Sequence, residues 1–192
     1  TLNGVATSYK TDTEGKVTLK FEDAGKCVIS AISETQTLVP PVCVATVSSN
    51  ATAKVYVTIS DANGQLVLTQ EPITVSDTDK DGYLTINDTM YAAHETKYEG
   101  GAEAGYASYY SAYGLSMSKL WGTENGGSYG YYVNNTSAWS LADTVKEGDY
   151  VNAFVYTDLT AWTDQYCYFD AFTLSGKEGE SVTLTLSTTE WD

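Results

Sequence analysis

The chain has 192 residues but no arginine, one histidine, three cysteines and three prolines. Each shortage narrows what it can do. Without the guanidinium fork, bidentate recognition of phosphate is lost. Ten lysines stand against 25 acids, a formal net charge of −15, and a surface of that sign repels a polyanion. Nucleic acid and anionic membrane are therefore excluded as partners. No apolar run approaches the ~20 residues of a membrane span, so membrane insertion is not expected. No basic, then apolar, signal segment opens the chain, and TLNGVATSYK reads as the start of a mature fragment. Three cysteines allow at most one internal disulfide. None is required, because a chain of this length buries roughly 70% of its unfolded surface.

Abundance points the other way. Sixteen tyrosines and sixteen glycines, with much threonine and valine, favour strands and tight turns. Residues 1–48 read as strands: GKVTLKFEDAGKCVISAI alternates apolar and polar residues around EDAG, and VPPVCVATV follows, with Pro40 and Pro41 at a strand start or edge. SSNAT reads as a linker. AKVYVTISDANGQLVLTQEPITVSD then gives two or three strands with ANGQ as the hairpin turn. INDTMYAAHETKY carries Ile86, Met90, Ala93 and Lys97 at helical spacing and is the helix candidate. EGGAEAGYAS reads as a loop. YGLSMSKLWG, SYGYYVNN, DYVNAFVYTD, YCYFDAFTL and ESVTLTLSTTEW read as strands. The class expected is mostly β, or α+β, with one main helix.

The segment DTDKDGYLTIND, residues 77–88, crowds four aspartates into twelve residues of an already acidic chain. Like charges this close repel unless a cation lies between them. Counted from Asp77 as position one, Asp79 is three, Asp81 five, Gly82 six, Tyr83 seven, Thr85 nine and Asp88 twelve. That is the layout of a calcium loop: alternate side chains point oxygens inward, glycine allows the sharp turn, and position seven offers a backbone carbonyl. Oxygen donors without sulfur or imidazole suit Ca2+ over zinc or copper. Leu84 is placed to pack on the core. At position twelve an EF-hand carries glutamate; the aspartate here resembles the calcium loop of bacterial dockerins. The competing reading is a solvated acidic turn, with Asp88 serving the helix N-terminus. No second such loop occurs, which favours a structural ion over a sensor.

Residues 53–158 resemble the transcobalamin C-terminal-like domain family, found in vitamin B12 carriers and bacterial surface proteins. AKVYVTI, PITVSD, SYGYYVNN and LADTVKEGDYVNAFVYTD carry the resemblance, with Gly130 to Asn134 and Gly148-Asp149 its most specific parts. Ser128-Tyr129 stands where the family has a tryptophan before its tyrosines. The resemblance implies a β-grasp-like domain over residues 53–165, a sheet wrapped on one helix. The flanks resemble parts of the immunoglobulin-like modules of Gram-positive surface proteins: residues 1–48 closing strands, residues 166–192 opening ones. The two ends would then complete one small β-sandwich beside the β-grasp domain. EGKVTLKF and GESVTLTL, one near each end, are alike.

Other candidates are weaker. Tyr129, Tyr131, Tyr132 and Trp139, with Trp121, offer a stacking platform for a carbohydrate or a corrinoid; the alternative is core packing. Strand alternation puts Tyr129 and Tyr131 on one face and Tyr132 on the other. His94 lies on the helix and reads as a packing or surface residue more than a base. Cys27 and Cys43 face one another if the hairpin centres on residue 35, giving either a disulfide or two thiols; Cys167 is left over and expected buried. No nucleophile elbow or other catalytic set stands out. The expectation is a non-enzymatic, calcium-binding extracellular module of a bacterial cell-wall-anchored surface protein. Its partners would be neighbouring modules and a host or glycan ligand, and its role adhesion, display or ligand binding.

Overall fold

The computed structural model describes residues 1–48, 51–126 and 128–189. In chain order its elements are β1 (Gly25–Ile29), β2 (Cys43–Val47), β3 (Thr52–Ser60), β4 (Leu66–Ser76), α1 (Ile86–Lys97), α2 (Gly101–Gly105), β5 (Ala107–Ser111), β6 (Gly114–Lys119), β7 (Tyr129–Val133), β8 (Thr136–Ser137), β9 (Tyr150–Val155), β10 (Cys167–Phe169) and β11 (Leu186–Thr188). The class is mostly β with two helices.

A five-stranded mixed sheet in the order β4-β3-β9-β7-β8 is the centre of the fold. Alternation is regular along β3, β9 and the second half of β4. Val55, Val57 and Ile59 of β3, Ile73 and Val75 of β4, and Val151, Ala153 and Val155 of β9 all point to one face and are buried. Helix α1 closes that face with Ile86, Met90 and Ala93, each fully buried. Each such valine, isoleucine or methionine side chain contributes roughly 1.5–3 kcal/mol by leaving water. The helix starts at Thr85, whose side chain accepts from the Asp88 amide while Asp88 bonds back to the Thr85 amide, a capping box. Strands β3 and β9 run parallel, so the chain between them must cross over. The helices and the β5–β6 hairpin lie in that crossover.

Among the described residues, every buried hydrophobic one lies between Ala53 and Val155. The flanks carry no buried residue of their own among the described residues. This is where the sequence reading needs correction. Of GKVTLKFEDAGKCVISAI only Gly25–Ile29 is a strand, because the residues before it alternate without a partner to pair with. The terminal strands shrink to Cys167–Phe169 and Leu186–Thr188, and residues 190–192 lie outside the described residues. β1–β2 and β10–β11 are separate two-stranded sheets, so the expected joint sandwich is not built by strand pairing between them. The loop expected at EGGAEAGYAS contains α2, whose Ala102 amide donates to the Glu95 carboxylate at 3.0 Å. Of the expected linker, residues 49 and 50 lie outside the described residues and Thr52 already belongs to β3.

The N-terminal flank nevertheless has a defined seat. Gly82 has φ +98°, and a Cβ there would fall 2.5 Å from the backbone nitrogen of Gly25. The start of β1 thus packs directly on the turn of the acidic loop.

Candidate functional site

The acidic loop leaves β4 at Ser76 and enters α1. Its turns are made by its own carboxylates. Asp77 accepts from the amides of Asp81 (Oδ1, 3.1 Å) and Gly82 (Oδ2, 3.1 Å), and Asp81 accepts from the Tyr83 amide at 2.8 Å. Asp79 accepts a longer bond from the Asp81 amide, 3.3 Å. Coiling of this kind brings oxygens of Asp77, Asp79 and Asp81 within 4.8 Å of one another. The Asp79 carboxyl is pushed above the usual range, first by burial and then by the charges of Asp88 and Asp81. The charges therefore oppose one another in the absence of a cation.

The remaining three loop positions are placed differently. Tyr83 leaves its ring exposed; its expected contribution was the carbonyl alone. Thr85 and Asp88 are buried and serve the helix start. Asp88 Oδ2 accepts from the Thr85 amide (3.0 Å) and hydroxyl (2.7 Å), and Oδ1 accepts from the Thr78 amide at 2.7 Å. The carboxylate thus clamps the loop to α1, as the competing reading required. A carboxylate has roughly four acceptor positions, and three are used here. Leu84 packs against the core and its carbonyl accepts from Val145 at 2.9 Å. Asn87, which the loop pattern did not single out, reaches Asp79 Oδ2 through Nδ2 at 3.4 Å and accepts from the Tyr106 hydroxyl at 2.8 Å. Its position just before Asp88 was the only signal.

An all-oxygen donor set of three carboxylates at one coil fits a hard divalent cation. Asp77, Asp79 and Asp81 would hold it, and the ion would supply positive charge where like charges meet.

No protein-family model matches the chain, and no curated protein matches it significantly.

The aromatic candidates do not form one platform. Tyr129 is buried on the helix side, where its hydroxyl accepts from the Asn125 amide at 3.1 Å and lies 2.8 Å from the carbonyls of Ser118 and Thr123. Tyr131 is half-buried on that side too. Tyr132 points to the opposite face and stacks on Tyr166, centroids 3.7 Å apart. Trp139 is 80% exposed. Trp121 packs on His94 and Tyr98, at 5.2 and 5.0 Å. Pleating separates neighbours in sequence, so four aromatics in one stretch need not share a surface.

His94 is fully buried among Tyr98, Tyr106 and Trp121. Its Nε2 accepts from the Trp121 amide at 3.1 Å. Nδ1 therefore carries the proton and donates to the Met90 carbonyl at 2.7 Å. Burial pulls its pKa down to about 4, so the ring is a neutral packing group.

The cysteine pairing is corrected. Cys27 pairs with Ala45, and Cys43 with Ile29. The hairpin register is displaced from the one that would set the two cysteines opposite, and all three cysteines are free thiols. Cys167 is exposed, not buried.

Proposed function

We propose that this chain is a calcium-stabilised, non-enzymatic extracellular module of a bacterial cell-surface protein, serving adhesion, display or ligand binding. One observation carries the reading: three carboxylates converge within 4.8 Å at a strand-to-helix junction. The left-handed glycine of that turn packs against the N-terminal flank. A cation there joins three parts at once, the end of β4, the start of α1 and the seat of β1. Its role is structural. It relieves the repulsion that adds to desolvation in holding the Asp79 carboxyl high, and it sets the angle between the flank and the sheet.

The β-grasp-like reading of residues 53–165 is supported by a helix laid across a sheet whose strands β3, β7 and β9 fall on the motifs shared with the transcobalamin C-terminal-like family. The immunoglobulin-like reading of residues 1–48 and 166–192 is supported by two short antiparallel pairs that expose apolar side chains, Val28 and Val44 in one, Leu186 and Phe169 in the other. Neighbouring modules of the same surface protein would cover them. A strongly negative surface suits a cell-wall-anchored, extracellular setting.

The test is calcium-dependent unfolding of the whole chain. Calcium at a hundred times its dissociation constant adds roughly 2.7 kcal/mol to stability, read as a rise in melting temperature that a chelator reverses. Equal melting in calcium and in chelator refutes the reading.

A further inference from the structure

The face of the sheet turned away from α1 has a roof. After β9 the chain folds back over that face, and two aromatic stacks hold it down. Tyr166 lies flat on Tyr132, and Phe172 lies flat on Tyr150 with centroids 4.0 Å apart and planes 4° from parallel. Polar bonds fix both anchors. Asn152 Nδ2 donates to the Tyr166 hydroxyl at 2.9 Å, and that hydroxyl donates to Asn135 Oδ1 at 2.8 Å. Gln70 Nε2 donates to the Phe172 carbonyl at 2.7 Å.

Gln70 owes its position to a break in the ladder. The β3–β4 register shifts between Val57 and Ile59. Gln70 has φ +47°, a left-handed value that a non-glycine residue adopts at some cost. Its amide donates to the Thr58 hydroxyl at 3.0 Å. Such irregularities re-aim side chains and concentrate beside functional sites.

Between the anchors the roof stands off the sheet and leaves a groove of about 550 Å³, within the range of small-molecule sites. Its lining is specific in chemistry. Ser60 and Thr58 supply hydroxyls, the latter with its hydrogen still to donate, Gln70 and Asn152 supply their carbonyl oxygens and the N–H not used to hold the roof, and Phe154 and Phe169 supply rings. Phe169 is 50% exposed. No lysine lines the groove, while Asp61 and Asp164 do. Both carboxyls are held below the usual range, Asp61 first by the Gln65 amide and Asp164 first by the Thr157 hydroxyl. An anion would meet negative charge with no counter-charge. Both carboxylates are also engaged in their own turns, Asp61 by the amides of Asn63 and Gln65 and Asp164 by those of Thr157 and Asp158. What the groove offers is two-way hydrogen bonding beside aromatic rings, the complement of a sugar with hydroxyl edges and apolar faces.

We propose that the groove between the sheet's outer face and the 157–172 roof binds a neutral oligosaccharide. This gives the ligand-binding role proposed above a site of its own, formed by residues other than the tyrosine run that the sequence singled out. It lies toward the Ser60–Leu66 end of the β3–β4 hairpin, whereas the acidic loop follows the other end of β4.

The test is titration of the full chain with a panel of neutral oligosaccharides of glucose, xylose, mannose and galactose, by calorimetry and amide NMR. At least one is expected to bind, shifting the Gln70 and Asn152 side-chain amides, with an affinity insensitive to salt. Phe169→Ala is expected to weaken it about tenfold with melting unchanged, since the ring is half exposed. Gln70→Ala is the second variant and should weaken it too. Silence across the panel overturns the proposal. So do shifts centred on the aromatics exposed elsewhere on the surface, Tyr109, Tyr113 and Trp139, affinity that falls with salt, or full affinity in both variants. Repeating the titration in chelator separates the two ideas. Sugar binding without any calcium effect on melting defeats only the calcium reading; a calcium effect without sugar binding defeats only this one.

Discussion

Acidification should unload a large part of this protein's stability through one side chain. His94 has its pKa lowered from 6.5 to about 4 because it is buried, and the Trp121 amide already uses the nitrogen that a second proton would need. The sign follows from the direction. The unfolded chain takes up a proton as pH falls through 6.5, while the folded chain resists until about 4. Stability is therefore complete above pH 6.5, declines between 6.5 and 4, and is flat below. At about 1.4 kcal/mol per unit of pKa, that window is worth about 3 kcal/mol. The perturbation is His94→Gln, which keeps hydrogen-bonding capacity and removes the titration. It costs about 1–3 kcal/mol at neutral pH through imperfect pairing of a buried amide. The assay is urea unfolding of both proteins across that pH range at constant calcium. Carboxylate titrations are common to both and cancel in the difference: Asp79 acts with opposite sign, and Asp158, held at about 2, acts at lower pH. The gap between wild type and variant should close as pH falls. Parallel curves refute the reasoning, as does an NMR titration placing His94 near 6.5.

Asp79→Asn should abolish any calcium response and, in chelator, leave the chain as stable as the parent or more so, since it removes a carboxylate that desolvation and its charged neighbours disfavour; paired melts with and without calcium decide. Gly82→Ala places a Cβ 2.5 Å from Gly25 at φ +98° and should lower stability by about 1–3 kcal/mol, read by chemical denaturation. It should also raise amide exchange in β1, where the flank loses its seat. Thiol titration under denaturing, non-reducing conditions should count three thiols, because the register sets Cys43 opposite Ile29; one thiol would place a disulfide there.

The helix and the acidic loop were legible because their causes are local. Thr85 and Asp88 cap a turn three residues long, and Ile86, Met90 and Ala93 repeat at the helix's own pitch. Aspartates at alternate positions with a glycine among them describe a coil before any tertiary contact forms. The strands of the central sheet announced themselves by alternation, since each must present one side to the core. Alternation misled in Lys16–Phe21 for the complementary reason. Pattern marks a segment able to be a strand, but only a neighbour makes it one.

Chain chemistry alone determined the charge, the capped helix and the crowding of carboxylates between Asp77 and Asp88. Tertiary structure decided which strands paired and in what register, which tyrosines became core, that His94 would be neutral, and that Tyr166 and Phe172 would roof the sheet. The difference is one of range. Hydrogen bonds and charges a few residues apart act in the chain wherever it goes, whereas Tyr132 on Tyr166 or Gln70 on Phe172 exist only after distant segments close on one another, and no local pattern encodes which pair will meet.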